Sequence, residues 1–301
     1  MKNNITNRRY NILADFTKVY DFLVKTYDFK TLNSYLLPQY FEYAQHLQWF
    51  DYLHSHCIGL WEEDGGIVAI SAYEMELGSA HVHTRVGYEF LLPELLEWAE
   101  NEIASIKNGE RSLGVWIVDN ELEKTKLLQE RGYHLDTYTQ AVTIFDYQKP
   151  FLPRELPAGF TMIDGNDVDY EKLATCFSKG FDNTDVLEEP VSDKDIAGNF
   201  KRFNSPHADL SLMRVVVAPD GEYASALGMW YDEVNKYAYL EPMATVPKYR
   251  RMGLGTASLM DAMAKTKELG ATYCFGGPVM EFYPKVGFEM VAERHLWKKV
   301  F

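Results

Sequence analysis

The sequence predicts an α/β fold laid out as two tandem copies of one domain, and three observations lead there. Both halves of the 301-residue chain carry the same order of hairpin, strand, helix, strand and short helix. Glycine-marked landmarks recur at nearly one offset: Asp64-Gly65 and Asp220-Gly221 stand 156 positions apart, and Gly132-Tyr133 and Gly287-Phe288 stand 155 apart. Between the halves lies a run with Pro150, Pro153 and Pro157, which suits neither a helix interior nor a central strand. The expected domains are residues 1–150 and 151–301, joined across 151–159.

In the first half a helix is expected over residues 15–25. Strands at 58–62 and 67–73 flank Asp64-Gly65-Gly66, a turn signal that needs positive φ. A strand at 80–86, a helix at 91–106 and a strand at 113–118 follow, then a short helix ending at Arg131-Gly132-Tyr133. The second half repeats this with strands at 212–217 and 223–230 around Asp220-Gly221, then a strand at 237–246. Its helix at 254–269 stops at Gly270, a strand follows at 271–275, and Val286-Gly287-Phe288 ends a short helix. A terminal strand or hairpin closes each half.

Composition narrows the function. With 47% hydrophobic and 25% charged residues the chain is globular, not disordered. Its 44 acids against 30 bases give a net charge of −14, which repels nucleic acid and anionic membrane and suits a cationic substrate. Both halves are acidic. Cys57, Cys176 and Cys274 are odd in number and widely spaced, so no disulfide framework is expected. No apolar run approaches a membrane helix and the first ten residues lack a signal-peptide core, so a cytoplasmic protein is expected.

The most informative segment reads Leu240-Glu-Pro-Met-Ala-Thr-Val246, then Pro247-Lys248-Tyr249-Arg250-Arg251-Met252-Gly253-Leu254-Gly255-Thr256, then helix. A strand-to-helix junction exposes N–H groups that no helical carbonyl accepts, and glycine lets a bulky anion approach them. Lys248, Arg250 and Arg251 add positive charge in an otherwise acidic chain. A Walker loop is excluded because no Gly-Lys-Ser/Thr follows. A dinucleotide fingerprint is disfavoured by the basic Pro-containing loop and by the lack of an acid on the next strand.

Arg250-x-x-Gly253-x-Gly255 with its lead-in from Val246 to Tyr249 resembles motif A of the GNAT superfamily of acyl-CoA-dependent N-acyltransferases. Phe282-Tyr283-Pro284-Lys285-Val286-Gly287-Phe288 resembles its motif B at the expected distance. The resemblance implies two GNAT-like domains, each a mixed, mostly antiparallel twisted sheet flanked by helices. It implies that acetyl-CoA is the co-substrate. The loop amides of Arg250, Arg251, Met252, Gly253, Leu254, Gly255 and Thr256 would hold its pyrophosphate. Ala244, Thr245 and Val246 would pair with the pantetheine arm like an added strand, and the strand pair would splay where the thioester enters.

Acyl transfer to an amine needs a neutral amine, a stabilised oxyanion and a leaving thiolate. By the resemblance the amide near Ala244 stabilises the oxyanion and Tyr283 protonates the sulfur, with a partial effect because a thiol of pKa about 8.5 leaves tolerably unaided. Glu241 is the candidate base, expected to share a strand face with Tyr239 and Met243; an acid that orients a substrate cation is an equal reading. Asp232 and Glu233 are further candidates for an amine site. The expected acceptor is a small, cationic primary amine. A non-catalytic acyl-CoA-binding module and a lysine or N-terminal acetyltransferase remain open alternatives, as does the oligomeric state.

The first half lacks this equipment. Arg85-Val86-Gly87-Tyr88-Glu89 stands where the loop should lie, with an acid in the place of phosphate, and the 155 offset sets Leu128 opposite Tyr283. It resembles a degenerate repeat with a structural or capping role. His54-x-His56-Cys57 and His81-Val82-His83 have ligand-like spacing but no further metal pattern, so no metal is expected. Cys274 reads as a buried small residue, not a nucleophile.

Overall fold

The structure is a computed structural model that describes residues 4–151, 154–277 and 281–301; Leu152 and Pro153 of the expected linker lie outside the described residues. The elements in chain order are β1 (Thr6–Arg9), α1 (Ile12–Lys25), α2 (Pro38–Gln45), β2 (Gly59–Glu63), β3 (Gly66–Ala72), β4 (Ser79–Thr84), α3 (Leu92–Trp98), β5 (Ser105–Lys107), β6 (Glu110–Val118), α4 (Leu122–Glu130) and β7 (His134–Asp146). They continue with β8 (Thr161–Ile163), α5 (Tyr170–Phe181), α6 (Asp193–Phe203), β9 (Arg214–Val217), β10 (Tyr223–Asp232), β11 (Tyr237–Thr245), α7 (Leu254–Glu268), β12 (Tyr273–Gly276), α8 (Phe282–Val286) and β13 (Glu289–Val300).

Two compact units form, neither contiguous in sequence. One comprises Met1–Gln45, Trp49–Ala141 and Val291–Phe301; the other comprises His46–Gln48 and Val142–Met290. In the first unit β1, β2, β3 and β4 are joined by antiparallel pairing, β4 pairs parallel with β6, and β13 pairs antiparallel with β6 through Arg294–Val300. In the second unit the order is β7-β12-β11-β10-β9-β8; β11 and β12 run parallel and the other pairs antiparallel. Each unit is thus a mixed, mostly antiparallel sheet with one parallel pair, at the same place in its strand order.

Local sequence explains the elements. Asn11 accepts the Leu13 N–H and caps α1. Asp64 and Gly65 both take positive φ, as the β2–β3 turn requires. α7, rich in Ala, Leu, Met and Lys, ends where Ala271 N–H bonds Thr266 O at 3.0 Å and Gly270 has φ +103°. Two expectations are corrected. The helix expected over 91–106 is α3 followed by one wide turn over Ala99–Ile103, and Ser105–Lys107 is a strand. The cause is Asn108-Gly109, both at positive φ, a hairpin signal that turns β5 into β6. Leu212 belongs to a short helical turn rather than to β9, because Asp209 caps that turn through Ser211 N–H.

The first unit's core joins Val68, Ile70, Val82 and Val115 of the sheet to Val19 and Leu23 of α1 and Leu95 of α3. The second unit has a core on each face of its sheet. Leu227, Met229 and Leu240 pack against Leu259 and Met263 of α7. Val215, Ala226 and Ala244 pack against Leu173 and Phe177 of α5 and Phe203 of α6. Each fully buried Leu or Phe contributes about 2 kcal/mol by leaving water.

Candidate active site

The site in the second unit starts with a strand pair that stops early. β11 and β12 pair only through Tyr237↔Tyr273, Ala238↔Cys274 and Tyr239↔Phe275, although β11 runs on to Thr245. On its other side β11 keeps its partner β10, with a register break: Leu240 faces Met229, and Met243 faces Leu227. Glu241 and Pro242 therefore bulge opposite Gly228, where a Cβ would come within 2.6 Å of Glu241 O.

The bulge corrects the expected face. Ala238 and Leu240 lie in the core beneath α7, and Met243 packs there too, whereas Ala244 lies in the core beneath α5. Alternation thus puts Tyr239 and Met243 on opposite faces. Glu241 is half-buried at the bulge, and its carbonyl accepts the Trp230 Nε1–H at 3.1 Å.

Backbone direction beyond the bulge follows from one bond. Val246 N–H donates to Ala224 O at 3.0 Å. In an antiparallel ladder alternate residues point the same way, so Ala244 also turns its peptide groups toward β10. Met243 and Thr245 turn theirs to the side where β12 has left. Of Ala244, Thr245 and Val246, Thr245 is the one that presents its backbone to the opening.

α7 begins at this open end. Its first backbone bond runs from Ala257 N–H to Gly253 O at 2.9 Å, so the N–H groups of Gly253, Leu254, Gly255 and Thr256 precede the helical ladder. No acid stands in its first turn. Arg251 (φ +63°) and Gly253 (φ +84°) are left-handed, and a Cβ at Gly253 would meet nothing within 4 Å. Open space, four N–H donors and the helix dipole make this junction fit a diphosphate. Gly255 contributes through close packing instead. A Cβ there would come within 2.9 Å of Met243 Cε and 3.2 Å of Thr245 Oγ1, so its bareness lets α7 close on β11. Met252 is exposed, whereas Leu254 is buried against Val216 and Ala224.

The basic residues divide. Arg250 is engaged within the fold: its N–H bonds Pro247 O at 3.0 Å, its Nε donates to Thr245 O at 3.0 Å, its Nη2 to Gly180 O at 2.8 Å and its Nη1 to Asn183 Oδ1. Lys248 pairs with Glu222 at 2.5 Å, and its N–H donates to Asp185 Oδ1 at 2.6 Å. Lys248, with Lys179 and Tyr249, holds the Glu222 carboxyl down at about 2. Arg251 makes no hydrogen bond or ion pair among the described residues, and its charge adds to that of Lys285 in lowering the Glu281 carboxyl.

Tyr283 is buried on α8, its ring edge-on to Phe288 at 5.4 Å. A Cβ at Gly277, one residue past β12, would come within 2.6 Å of its phenol oxygen, so the hydroxyl sits against the strand that diverges from β11. Asp232 is occupied elsewhere: its carboxylate accepts the N–H groups of Val234 and Asn235 and caps the β10–β11 turn, while Glu233 is exposed. Cys274 is buried beside Met229, and burial pushes its thiol far up.

The first unit has the same opening, lined by charged side chains that bond to its own backbone. β4 pairs with β6 only through Ser79↔Gly114, Ala80↔Val115 and His81↔Trp116. Beyond it Lys124 Nζ donates to Glu121 Oε1 at 2.6 Å, to Val82 O at 3.0 Å and to Ser34 Oγ. The Glu89 carboxylate accepts the Gly87 N–H at 2.9 and 3.0 Å, in the loop that matches 246–253. Tyr133 N–H bonds Leu128 O at 2.9 Å, as Phe288 N–H bonds Tyr283 O at 3.0 Å. His83 bonds Thr26 Oγ1 at 2.8 Å, and His81 faces Ser34 O at 3.2 Å. Among the described residues no group of three His, Cys, Asp or Glu could hold a metal ion.

Residues 176–288 match the model of the Acetyltransferase (GNAT) family. No curated protein matches the chain. Among solved structures, a tandem GNAT protein from the clavulanic acid biosynthesis pathway superposes with a TM-score of 0.64 at 11% identity, over 99% of this chain and 98% of that one. A GCN5-related N-acetyltransferase from Sphaerobacter thermophilus gives 0.58 at 14% identity, over 98% and 95%. The N-myristoyltransferase of Saccharomyces cerevisiae gives 0.56 at 13% identity, over 99% and 79%. At these identities the likeness is one of fold.

Proposed function

We propose that the chain, whose residues 176–288 match the Acetyltransferase (GNAT) family model, takes a coenzyme A thioester as its co-substrate and moves an acetyl group from acetyl-CoA directly to a primary amine of a small, cationic molecule. The observation that carries this is the junction in the second unit, where β12 leaves β11 after Tyr239↔Phe275 beside an uncapped α7 N-terminus. The N–H groups of Gly253 to Thr256 would hold the pyrophosphate, with Arg251 as the charge at hand. The outward backbone of Met243 and the N–H of Thr245, whose carbonyl already accepts Arg250 Nε, would pair with the pantetheine arm.

In the transfer the amine lone pair attacks the thioester carbonyl carbon. The oxyanion forms beside N–H groups already aimed at the opening, which therefore need no reorganisation. As the C–S bond breaks, the sulfur takes a proton from Tyr283. Glu241 at the bulge would accept the proton the amine loses. A cationic acceptor is supported by residues 182–195, the segment between α5 and α6 with the first turn of α6, which carry six acids (Asp182, Asp185, Glu188, Glu189, Asp193 and Asp195) against one base, Lys194. The first unit, with Glu89 and Lys124 in the corresponding positions, reads as a degenerate copy with a structural role, and a tandem duplication accounts for the shared strand order. No helix among the described residues is long and apolar enough to cross a membrane; with three free, buried cysteines the proposed location is the cytoplasm.

A panel of primary amines incubated with acetyl-CoA, with free thiol as readout, tests the proposal. Thiol release that depends on a cationic amine and falls in Tyr283→Phe supports it. Coenzyme A binding with no amine-dependent release across the panel, and indifference to Tyr283→Phe, favours a non-catalytic module. Release with basic peptides alone favours a protein acceptor.

A further inference from the structure

Arg250 sits in the motif that aligns with phosphate binding, yet its bonds run the other way. The guanidinium reaches away from the α7 N–H groups and forks across three oxygens on two elements: Thr245 O at the end of β11, Gly180 O in the last turn of α5, and Asn183 Oδ1 just beyond it. A fork of this kind suits a planar, multi-donor cation and no other side chain. Its own N–H is spent on Pro247 O. A second tie runs beside it, from Lys248 N–H to Asp185 Oδ1 at 2.6 Å.

Both ties end on the start of the segment that joins α5 to α6. That segment leaves from the open edge of β11, because a Cβ at Gly180 would come within 2.7 Å of Ala244 Cβ and 3.4 Å of Thr245 N. Asn183 is held left-handed (φ +56°), and Thr184 N–H bonds Lys179 O at 3.0 Å, so the chain turns sharply under the Arg250 fork. The loop expected to receive phosphate and the segment beside the acyl slot are thus one hydrogen-bonded assembly.

We propose that Arg250 is a positioning residue that clamps the α5–α6 segment to the phosphate loop, so that coenzyme A binding orders the wall of the slot where the acceptor enters. Arg250 does this through Gly180 and Asn183, while the phosphate is left to the α7 N–H groups and Arg251. The proposal rests on the reading of the junction as an acyl-CoA site.

Hydrogen exchange of residues 182–192, with and without saturating coenzyme A, is read beside calorimetric affinities for coenzyme A and for pantetheine, which lacks the phosphates. In the native protein coenzyme A slows exchange of the segment about fivefold or more. In Arg250→Gln the segment exchanges fast with or without coenzyme A, and the ratio of coenzyme A to pantetheine affinity stays within about threefold of native. Asn183→Ala, an exposed substitution that leaves Arg250 in place, repeats the loss of protection more weakly and decides the matter if Arg250→Gln does not fold. A ratio that collapses in Arg250→Gln makes the guanidinium a phosphate ligand and overturns the proposal, as does unchanged exchange in both variants. A native protein that binds no coenzyme A overturns the acyl-CoA reading and this proposal with it; one that binds it without protecting the segment overturns this proposal alone.

Discussion

Tyr283 lies against Gly277 so closely that a Cβ on the glycine would come within 2.6 Å of its phenol oxygen. The absence of a side chain on one residue thus sets the position of a hydroxyl on another. If that hydroxyl protonates the leaving sulfur, Tyr283→Phe lowers kcat by about ten- to a hundredfold while leaving the acyl-CoA affinity nearly unchanged. Gly277→Ala displaces the ring and lowers kcat in the same direction. Steady-state kinetics with calorimetric affinity check both; a loss confined to affinity would assign Tyr283 to packing.

Gly255 predicts a graded response. Its added Cβ would meet Met243 Cε at 2.9 Å, the far end of a flexible side chain, and Thr245 Oγ1 at 3.2 Å. Gly255→Ala is absorbed by a shift of Met243 and costs a few-fold in coenzyme A affinity, whereas Gly255→Val pushes α7 off β11 and costs about a hundredfold, the scale of overpacking near 3 kcal/mol. Equal affinities for the two variants would mean that α7 and β11 need not approach this closely.

His81 and His83 give the first unit an acid-sensitive core. Burial, with Arg294 beside His81 and Lys124 beside His83, pushes both imidazoles down to about 3. An unfolded histidine takes its proton near pH 6.5, so between pH 6.5 and 3 the unfolded chain binds protons the folded chain refuses. Stability therefore falls as pH drops through this window, by about 2 kcal/mol per histidine at pH 5. Urea unfolding at pH 7 and 5 of native protein and of His83→Gln checks this. The variant is expected to lose less between the two pH values, and parallel losses would contradict the assignment.

Much of this was legible from spacing. The Asp-Gly and Gly-aromatic landmarks located turns and helix ends in both units, because positive φ at such places narrows residue choice to very few types. The equivalence of Leu128 and Tyr283 came from that offset, and each accepts at its carbonyl a bond from the residue five positions on, Tyr133 or Phe288. The face of Met243 was not legible, since a one-residue bulge opposite Gly228 inverts the alternation beyond it and depends on β10, distant in sequence. Nor was the role of Arg250, because its oxygens at Gly180 and Asn183 lie about seventy residues away and a basic motif residue carries no mark of its partner. Asn108-Gly109 was readable as a turn, and the helical periodicity before it obscured it.

All of this depends on one acyl-CoA site, at the α7 N-terminus, with the matching opening in the first unit lined by Glu89 and Lys124 instead. Calorimetric titration of the native chain and of Gly253→Glu with coenzyme A tests it most directly. One molecule bound per chain, lost in Gly253→Glu, is the predicted result; two molecules per chain, or binding that survives the substitution, would contradict it.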